Sequence, residues 1–380
     1  MSALSPIVPP SCIGMLGGGQ LGRYAVMAAR QMGYATVVLD PSPDAPAGKV
    51  ADEHLVADFD NASALDRLSA LCAVVTTEFE NPPAASLERL ARSTTVRPVP
   101  SAIAIAQDRI AEKEFLVSEG IAVGPYRVVG QGQRYDEVVP GIVKTARLGY
   151  DGHGQRPVMT AADVDEVVER LGDVSCVVER RLDLVMELSV VLARSVDGTV
   201  AVWEIAENVH VDGVLDLTVV PARIADDLAD SAIALAQRIA VALDYVGVLA
   251  VEMFVVDVGG ELQVLINELA PRPHNSGHWT LDGSMTDQFA QQIRAVTGAA
   301  LGNTQMTSPA VAMVNLLGDL WQHGEPKWAS VLVEPDAHLH LYGKSAPRAG
   351  RKMGHLTVTG ATVDEVANRA LALRSSLNSM

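Results

Sequence analysis

Short apolar runs separated by an amphipathic segment open the chain. Residues 12–16 (CIGML), 35–39 (ATVVL) and 73–76 (AVVT) carry no polar alternation. Between the first two, QLGRYAVMAARQMG puts Leu21, Ala25, Ala28 and Met32 on one face of a 3.6-residue period, with Gly33 as a stop. Strand, helix, strand in that order is a βαβ unit, so this region is expected to form an open parallel sheet.

The punctuation then changes. Asn81-Pro82-Pro83 and RPVPS (97–101) interrupt the pattern, and the second reads as a domain exit because prolines fit poorly in a helix or a central strand. A helix is expected over QDRIAEKEFLVSEG, ending at Gly120. Strands then dominate: GIVKTA, SCVVERRL, ELSVVLARS, TVAVWEIAEN, GVLAVEMFVVD and ELQVLINEL, with one helix near 227–244. Val196-Asp197-Gly198 and Asp257-Val258-Gly259-Gly260 read as hairpin returns. Farther on, AVAMVNLLG, HLHLYGK and HLTVTG read as strands and Thr362 to Leu377 as a helix; this tail is too short for a large core and is expected to pack on the rest. The expected class is α/β together with α+β, divided at 1–108, 109–300 and 301–380.

Composition narrows the function. With 380 residues and 48% hydrophobic side chains the chain is globular and large enough for two or three domains. No apolar run has the length of a membrane span, and MSALSPIVPPSCIGML lacks the pattern of a secretory signal, so neither membrane nor export is expected. Cys12, Cys72 and Cys176 lie far apart in apolar contexts and read as buried thiols of a cytoplasmic protein. A net charge of −17 argues against nucleic acid as a partner. It leaves room for a small phosphorylated substrate, and makes the few cations informative.

Several constellations suggest chemistry. Gly17 to Gly22 (GGGQLG) matches G-x-G-x-x-G, and Asp40 ends the second strand where a dinucleotide-binding acid would stand; any phosphate at a helix N-terminus would suit the same turn. Lys144 sits in a β-run before Arg147 to Gln155, whose glycines free backbone N–H groups to wrap phosphate oxygens. Glu252 and Glu268 are acids inside apolar strands, with Asn267 adjacent. Either alone reads as a salt-bridged strand acid, but the two together favour a Mg²⁺ site. His274 to His278 (HNSGH) reads as an exposed loop of polar anchors, since Pro271 and Pro273 argue against a helical zinc pair, and Arg272 faces phosphate or a developing anion. Glu78 and Glu80 end the third strand, where open sheets bind ligands; helix capping is the plainer role for them. Lys344, Arg348, Arg351 and Lys352 are a basic cluster in an acidic chain, read as a phosphate clamp rather than a solvated turn.

In order and spacing, LGGGQLG (16–22), GYDGHGQ (149–155), NELAPRPHNSGHWT (267–280), LYGK and RKMGH resemble the ATP-grasp superfamily, and within it the N5-carboxyaminoimidazole ribonucleotide synthetases. The resemblance covers nearly the whole chain. It implies a Rossmann-like N-terminal domain, a two-lobed ATP-grasp domain and a small β-rich C-terminal domain. It further implies that Arg109 and Lys144 contact ATP phosphates, and that Gly149, Tyr150, Asp151, Gly152, His153, Gly154 and Gln155 form a phosphate-covering loop. Glu179, Arg180, Arg181 and Leu182 would face adenine, Glu187 the ribose, and His210 and Asn267 the nucleotide. Glu252 and Glu268 would hold Mg²⁺, with Mn²⁺ as a substitute.

The aminoimidazole ribonucleotide would lie among Gly19, Gln20, Leu21, Glu78, Tyr150, Asp151, His274, Asn275, Ser276, His278, Lys344 and Arg351. Arg272, Lys144 and Glu268 would carry the chemistry: ATP phosphorylates bicarbonate to carboxyphosphate, and carboxyphosphate, or CO₂ released from it inside the closed site, carboxylates the exocyclic amine. The resemblance also implies a cytoplasmic homodimer. Relatives usually carry Lys where this chain has His153, and an aromatic where Arg181 stands. Rival readings are another ATP-grasp ligase, such as formate-dependent glycinamide ribonucleotide transformylase, an NAD(P)-dependent oxidoreductase resting on GGGQLG and Asp40, and a non-catalytic nucleotide-binding partner.

Overall fold

The structure is a computed structural model that describes residues 5–130, 133–149, 154–172 and 174–378. The first sheet is wholly parallel and holds β1 (Cys12–Leu16), β2 (Ala35–Leu39), β3 (Glu53–Leu55), β4 (Val74–Thr77) and β5 (Thr95–Val96) in the order β3-β2-β1-β4-β5. Helices α1 (Gln20–Gln31), α2 (Ala62–Leu71) and α3 (Ala84–Ala91) return the chain between strands. These strands lack alternation because both faces are covered. Ile13, Met15, Val38 and Val74 pack with Leu21 and Ala25 of α1, while Leu16, Leu39 and Val75 pack with Leu65, Leu68, Leu87 and Leu90 of α2 and α3.

Within the proline stretch at 97–101 a helix begins. Pro100 takes the first helical position of α4 (Pro100–Ala106), where a missing N–H breaks no bond. Asp108 then caps α5 (Arg109–Ser118), accepting from the N–H groups of Ile110 and Ala111.

A second, antiparallel sheet holds β6 (Tyr126–Val128), β7 (Gly141–Thr145), β8 (Gln155–Val158) and β9 (Cys176–Arg180) in the order β6-β9-β7-β8, with α6 (Ala161–Arg170) over Val143, Val158 and Val178. The third sheet has nine strands. β10 (Leu184–Arg194), β11 (Val200–Val202), β12 (Ala206–Val211), β13 (Val214–Val220), β14 (Gly247–Val258) and β15 (Glu261–Ala270) come before β16 (Ala310–Leu317), β17 (Ala337–Leu341) and β18 (Lys352–Gly360). The order is β15-β14-β10-β12-β13-β16-β18-β17, with β11 beside β10. The single strand expected over 199–208 is split at Trp203, whose ring is buried and whose backbone N–H donates to the Val191 carbonyl oxygen, and β11 and β12 pair with different stretches of β10.

α7 (Asp226–Ala242) buries Ala232, Ala236 and Ile239 against Leu188, Val190 and Leu192. After α8 (Thr280–Gly283), α9 (Gln288–Thr297) sets Phe289 and Ile293 against α1 and so joins the first sheet to the third. The C-terminal strands pack by edge pairing. β16 bonds to β13 and is buried on both faces, which satisfies an edge that would otherwise expose its N–H and C=O groups. α10 (Ala329–Leu332) follows, and α11 (Val363–Ser376) lays Val366 and Ala370 on Val314, Leu356 and Val358. Among the described residues no helix is long and apolar enough to cross a membrane.

Candidate active site

The glycine turn after β1 already holds a carboxylate. Gly19 and Gly22 donate their N–H groups to Glu78 at 2.8 and 3.0 Å, and Gly18 donates to Asp40 at 2.7 Å. Asp40 also accepts from Ser42. The free N–H groups and positive end of α1 thus face Glu78, and Asp40 is turned onto the turn's own backbone. A dinucleotide pyrophosphate would need those same donors, so the oxidoreductase reading loses both of its supports. Burial pushes the Glu78 carboxyl up, against the pull of the two N–H groups and of Arg272.

The turn tolerates no side chain. A Cβ on Gly22 would lie 2.9 Å from the Gly17 carbonyl oxygen and 3.1 Å from Glu78 Cγ. Gly22→Ala is expected to destabilise the protein by about 1–3 kcal/mol, read as a lower urea midpoint with an unchanged slope.

The two acids in apolar strands meet across one rung. Glu252 of β14 is the register partner of Glu268 of β15, and a bulge follows at once, with Met253 opposite Ile266. Asn267 is therefore the extra residue, and Asn267 and Glu268 together oppose Glu252. The Asn267 side-chain oxygen is buried without a hydrogen-bond partner among the described residues. Like charges directly opposite repel, and burial together with Glu268 pushes the Glu252 carboxyl up to about 7. Burial acts on Glu268 in the same direction, but Arg109 and Lys144 outweigh it and hold that carboxyl below its ordinary value. Arg109 Nη1 lies 2.8 Å from Glu268 Oε2. Two carboxylates on one rung and an unpartnered amide oxygen form an all-oxygen donor set that suits a hard divalent cation.

A second ionic group faces this rung from β7, β9 and α5. Lys144 Nζ donates to Glu179 Oε2 at 2.9 Å, and Lys113 Nζ pairs with Glu179 Oε1 at 3.2 Å. Burial would raise the Glu179 carboxyl, but Lys144 and Lys113 win and hold it at about 2. Glu112 accepts the N–H of Leu269 at 2.9 Å and is pushed up to about 8, chiefly by burial. Sequence reasoning missed Glu112 and Lys113. The available signal was their spacing, i+3 and i+4 from Arg109, which sets all three on one face of α5.

Of the remaining nucleotide candidates, Gln155 and Gly154 adjoin this group. Gln155 is the register partner of Lys144, and Gly154 accepts the N–H of Thr145. Gly149 is half-buried, whereas Tyr150, Asp151, Gly152 and His153 lie outside the described residues. Arg180 and Arg181 are exposed, with their N–H groups bonded to Pro125 and Pro140, and Leu182 is half-buried. His210 Nδ1 forms an ion pair with Glu187 Oε2 at 2.9 Å across β10 and β12. Burial works against the imidazolium, but Glu187 prevails and raises the His210 pKa.

The segment after β15 connects the acid pair to the first sheet. Arg272 Nε donates to Glu80 Oε2 at 2.6 Å, and a second guanidinium nitrogen meets the same oxygen. The loop expected to be exposed is buried. Gln288 accepts the N–H of His274 and donates to its carbonyl oxygen, both at 2.8 Å; Asn275 exchanges two bonds with Asn315; and Ser276 and His278 are fully buried. His278 packs among Tyr24, Phe289, Tyr342 and His355. Only His274 reaches the acids, with Nε2 3.2 Å from Glu252 Oε1.

On the other side, the β17–β18 connection approaches the first sheet, where Lys49 Nζ donates to Gly343 at 3.3 Å. There Lys344 Nζ lies 5.4 Å from the centre of the Tyr342 ring and donates to the Lys352 carbonyl oxygen, while Arg351 donates to that of Ala346. Asp282, His340 and His355 also set three ligand atoms within 4.8 Å. The two imidazoles stack at 12° and 4.5 Å, however, so lone pairs lying in near-parallel planes do not converge on one ion.

Known proteins match the chain along its length. The model of the ribonucleotide synthetase preATP-grasp domain matches residues 11–107, that of the ATP-grasp domain residues 114–289, and that of the phosphoribosylaminoimidazole carboxylase C-terminal domain residues 311–369. An N5-carboxyaminoimidazole ribonucleotide synthase of Brucella melitensis biotype 1 is 44% identical over 359 residues, which cover 92% of this chain and 96% of that protein. The crystal structure of N5-carboxyaminoimidazole synthetase from Staphylococcus aureus complexed with ADP is 35% identical, with a TM-score of 0.89 over 98% of this chain and 99% of that one. The Aspergillus clavatus enzyme, in complex with ADP and 5-aminoimidazole ribonucleotide, is 28% identical, with a TM-score of 0.87 over 97% and 99%. The chain belongs to the N5-carboxyaminoimidazole ribonucleotide synthase family of ATP-grasp proteins.

Proposed function

We propose that the protein carboxylates the exocyclic amine of 5-aminoimidazole ribonucleotide with bicarbonate, driven by ATP, and so supplies N5-carboxyaminoimidazole ribonucleotide to purine synthesis. A bicarbonate oxygen attacks the γ-phosphorus and ADP leaves. The amine then attacks the carbonyl carbon of carboxyphosphate, phosphate leaves, and the amine gives up a proton. The observation that carries this reading is the Glu252–Glu268 rung with Asn267 beside it, set between the cations Arg109 and Lys144 and the segment at Arg272 and His274.

Glu252, Glu268 and the Asn267 oxygen would hold Mg²⁺, with Mn²⁺ as a substitute. A divalent ion there supplies positive charge to the phosphate oxygens. Lys144 and Arg109 orient those oxygens, each pinned on one side by an acid (Glu179 and Glu268) so that its remaining N–H groups point where the structure fixes them. Glu187 and His210 take the ribose hydroxyls, and the chain from Glu179 to Leu182 borders the adenine. Arg272, held by Glu80, faces the anionic bicarbonate and carboxyphosphate. Lys344 and Arg351 offer cations to the ribonucleotide phosphate. Because His210 acts on binding, His210→Gln is expected to raise KM for ATP about tenfold with little change in kcat.

ADP release measured with ribonucleotide and bicarbonate each omitted in turn tests the assignment. ADP formed only when both are present supports it. ADP formed with formate and glycinamide ribonucleotide instead would replace it with the rival ligase.

A further inference from the structure

Six buried or half-buried side chains from separate strands and one loop form a single file of hydrogen bonds ending on an acid. Thr218 Oγ1 donates to Asn208 Oδ1 at 2.9 Å, Asn208 Nδ2 donates to Ser189 Oγ at 3.0 Å, and Ser189 Oγ donates to Ser276 Oγ at 2.7 Å. Ser276 Oγ lies 2.9 Å from His274 Nδ1, and His274 Nε2 lies 3.2 Å from Glu252 Oε1. Sheet pairing sets the spacing: Thr218 is the register partner of Asn208, and Ser189 that of Glu252. Thr218, Ser189 and Ser276 are fully buried, so no water competes for these groups.

The file has a direction. The backbone N–H of Ser276 donates to His274 Nδ1 at 3.3 Å, and a backbone N–H cannot accept. Nδ1 therefore carries the lone pair, and the ring proton of neutral His274 lies on Nε2, pointing at Glu252. Ser276, Ser189, Asn208 and Thr218 then fall into order, each hydroxyl between them donating once and accepting once. Turning the Asn208 amide round would reverse every bond and set two hydrogens against each other at Nδ1. The Thr218 hydroxyl, which can donate or accept, closes the far end, so that the amide oxygen whose place the Ser276 end dictates is not left unpaired in the core.

We infer that Thr218, Asn208 and Ser189 are positioning residues, which act through the Ser276 hydroxyl to keep the His274 ring, its tautomer set by the Ser276 backbone N–H, aimed at Glu252. None of the three touches a reactant. The role rests on the carboxylation proposed above, because it matters only if Glu252 and His274 work in that reaction. Partners behind a ligating or reacting group fix its orientation, and losing one typically costs about 10–100-fold in activity or affinity.

Nitrogen-15 spectra of the histidine rings in metal-free, substrate-free protein test the inference, with His274→Gln identifying the His274 signals among nine histidines. A pyridine-type Nδ1 and a protonated Nε2 are expected. Thr218→Val keeps the shape and removes the hydroxyl; it is expected to leave the tautomer in place, to shift the Nδ1 signal as the Ser276 hydroxyl loses its support, and to lower kcat about tenfold, with KM for ATP changed less than about twofold. Thr218→Ser restores both readouts. A protonated Nδ1 in the wild type, or Thr218→Val leaving either the ring signals or kcat unchanged, overturns the inference. The carboxylation reading fails by a different result, the absence of bicarbonate-dependent ADP release in the wild type.

Discussion

Glu268→Gln is expected to lower kcat by about 10²–10³, the loss seen when one preorganised electrostatic group is removed from a site where charge is transferred. The substitution keeps the shape and removes one of the two charges on the Glu252–Glu268 rung. It also replaces the carboxylate 2.8 Å from Arg109 with an uncharged amide, so the guanidinium keeps at most a neutral hydrogen bond on that side. Glu252 is released from a like charge that helps push its carboxyl up, and its pKa should fall. The remaining acid is thus more fully ionised at neutral pH than in the wild type, and the variant is expected to bind Mg²⁺ weakly rather than not at all. Turnover measured against Mg²⁺ concentration, with circular dichroism to show the fold intact, gives the answer. Near wild-type turnover at saturating Mg²⁺ would remove Glu268 from the metal site.

The acid pair was legible as two carboxylates in apolar strands, but its geometry was not. Counting back from the hairpin, where Val258 pairs with Glu261, strict alternation would set Glu252 opposite Asn267 and turn Glu268 to the other face. The bulge moves Glu268 onto the rung, and nothing in INELA marks it in advance. The parallel sheet was readable because burial on both faces leaves continuous apolar runs. The helix at Pro100 was not, because proline's meaning depends on whether it falls at the first turn or inside. HNSGH resembles a surface loop in composition and is buried because Gln288 and Asn315, distant in sequence, satisfy its backbone and amides. The file from Thr218 to Glu252 is equally unreadable from single positions, since three strand registers must be known before its members meet.

Metal-free enzyme is expected to lose about 2 kcal/mol of stability between roughly pH 6.5 and 8.5. Burial pushes the carboxyl of Glu112 up to about 8, and burial together with Glu268 pushes that of Glu252 up to about 7, both from 4.5. A group whose folded pKa is raised contributes stability that is complete below its unfolded pKa and lost as pH rises through the folded one. In this window the folded chain holds more protons than the unfolded chain, so the slope is negative. Glu179 does not offset it, because a carboxyl held at about 2 adds its full stability once pH exceeds 4.5. The buried His274, His278 and His355, held neutral chiefly by desolvation, act in the opposite sense, and because each is half-protonated in the unfolded chain at pH 6.5 they return about 0.4 kcal/mol apiece in the lower part of the window. His210, raised by Glu187 against burial, adds to the decline. Glu112 supplies the larger share, since its folded pKa lies higher in the window. Glu112→Gln mimics the protonated acid and can still accept from Leu269, so it should flatten most of the slope and exceed wild-type stability at high pH. Mg²⁺ should recover the Glu252 share alone, by favouring its ionised form. Urea midpoints taken across this range with chelator, with Mg²⁺ and in the Glu112→Gln variant separate the two contributions. Stability that stays level or climbs with pH in the wild type would mean that Glu112 and Glu252 are already ionised in the folded protein at the bottom of the window.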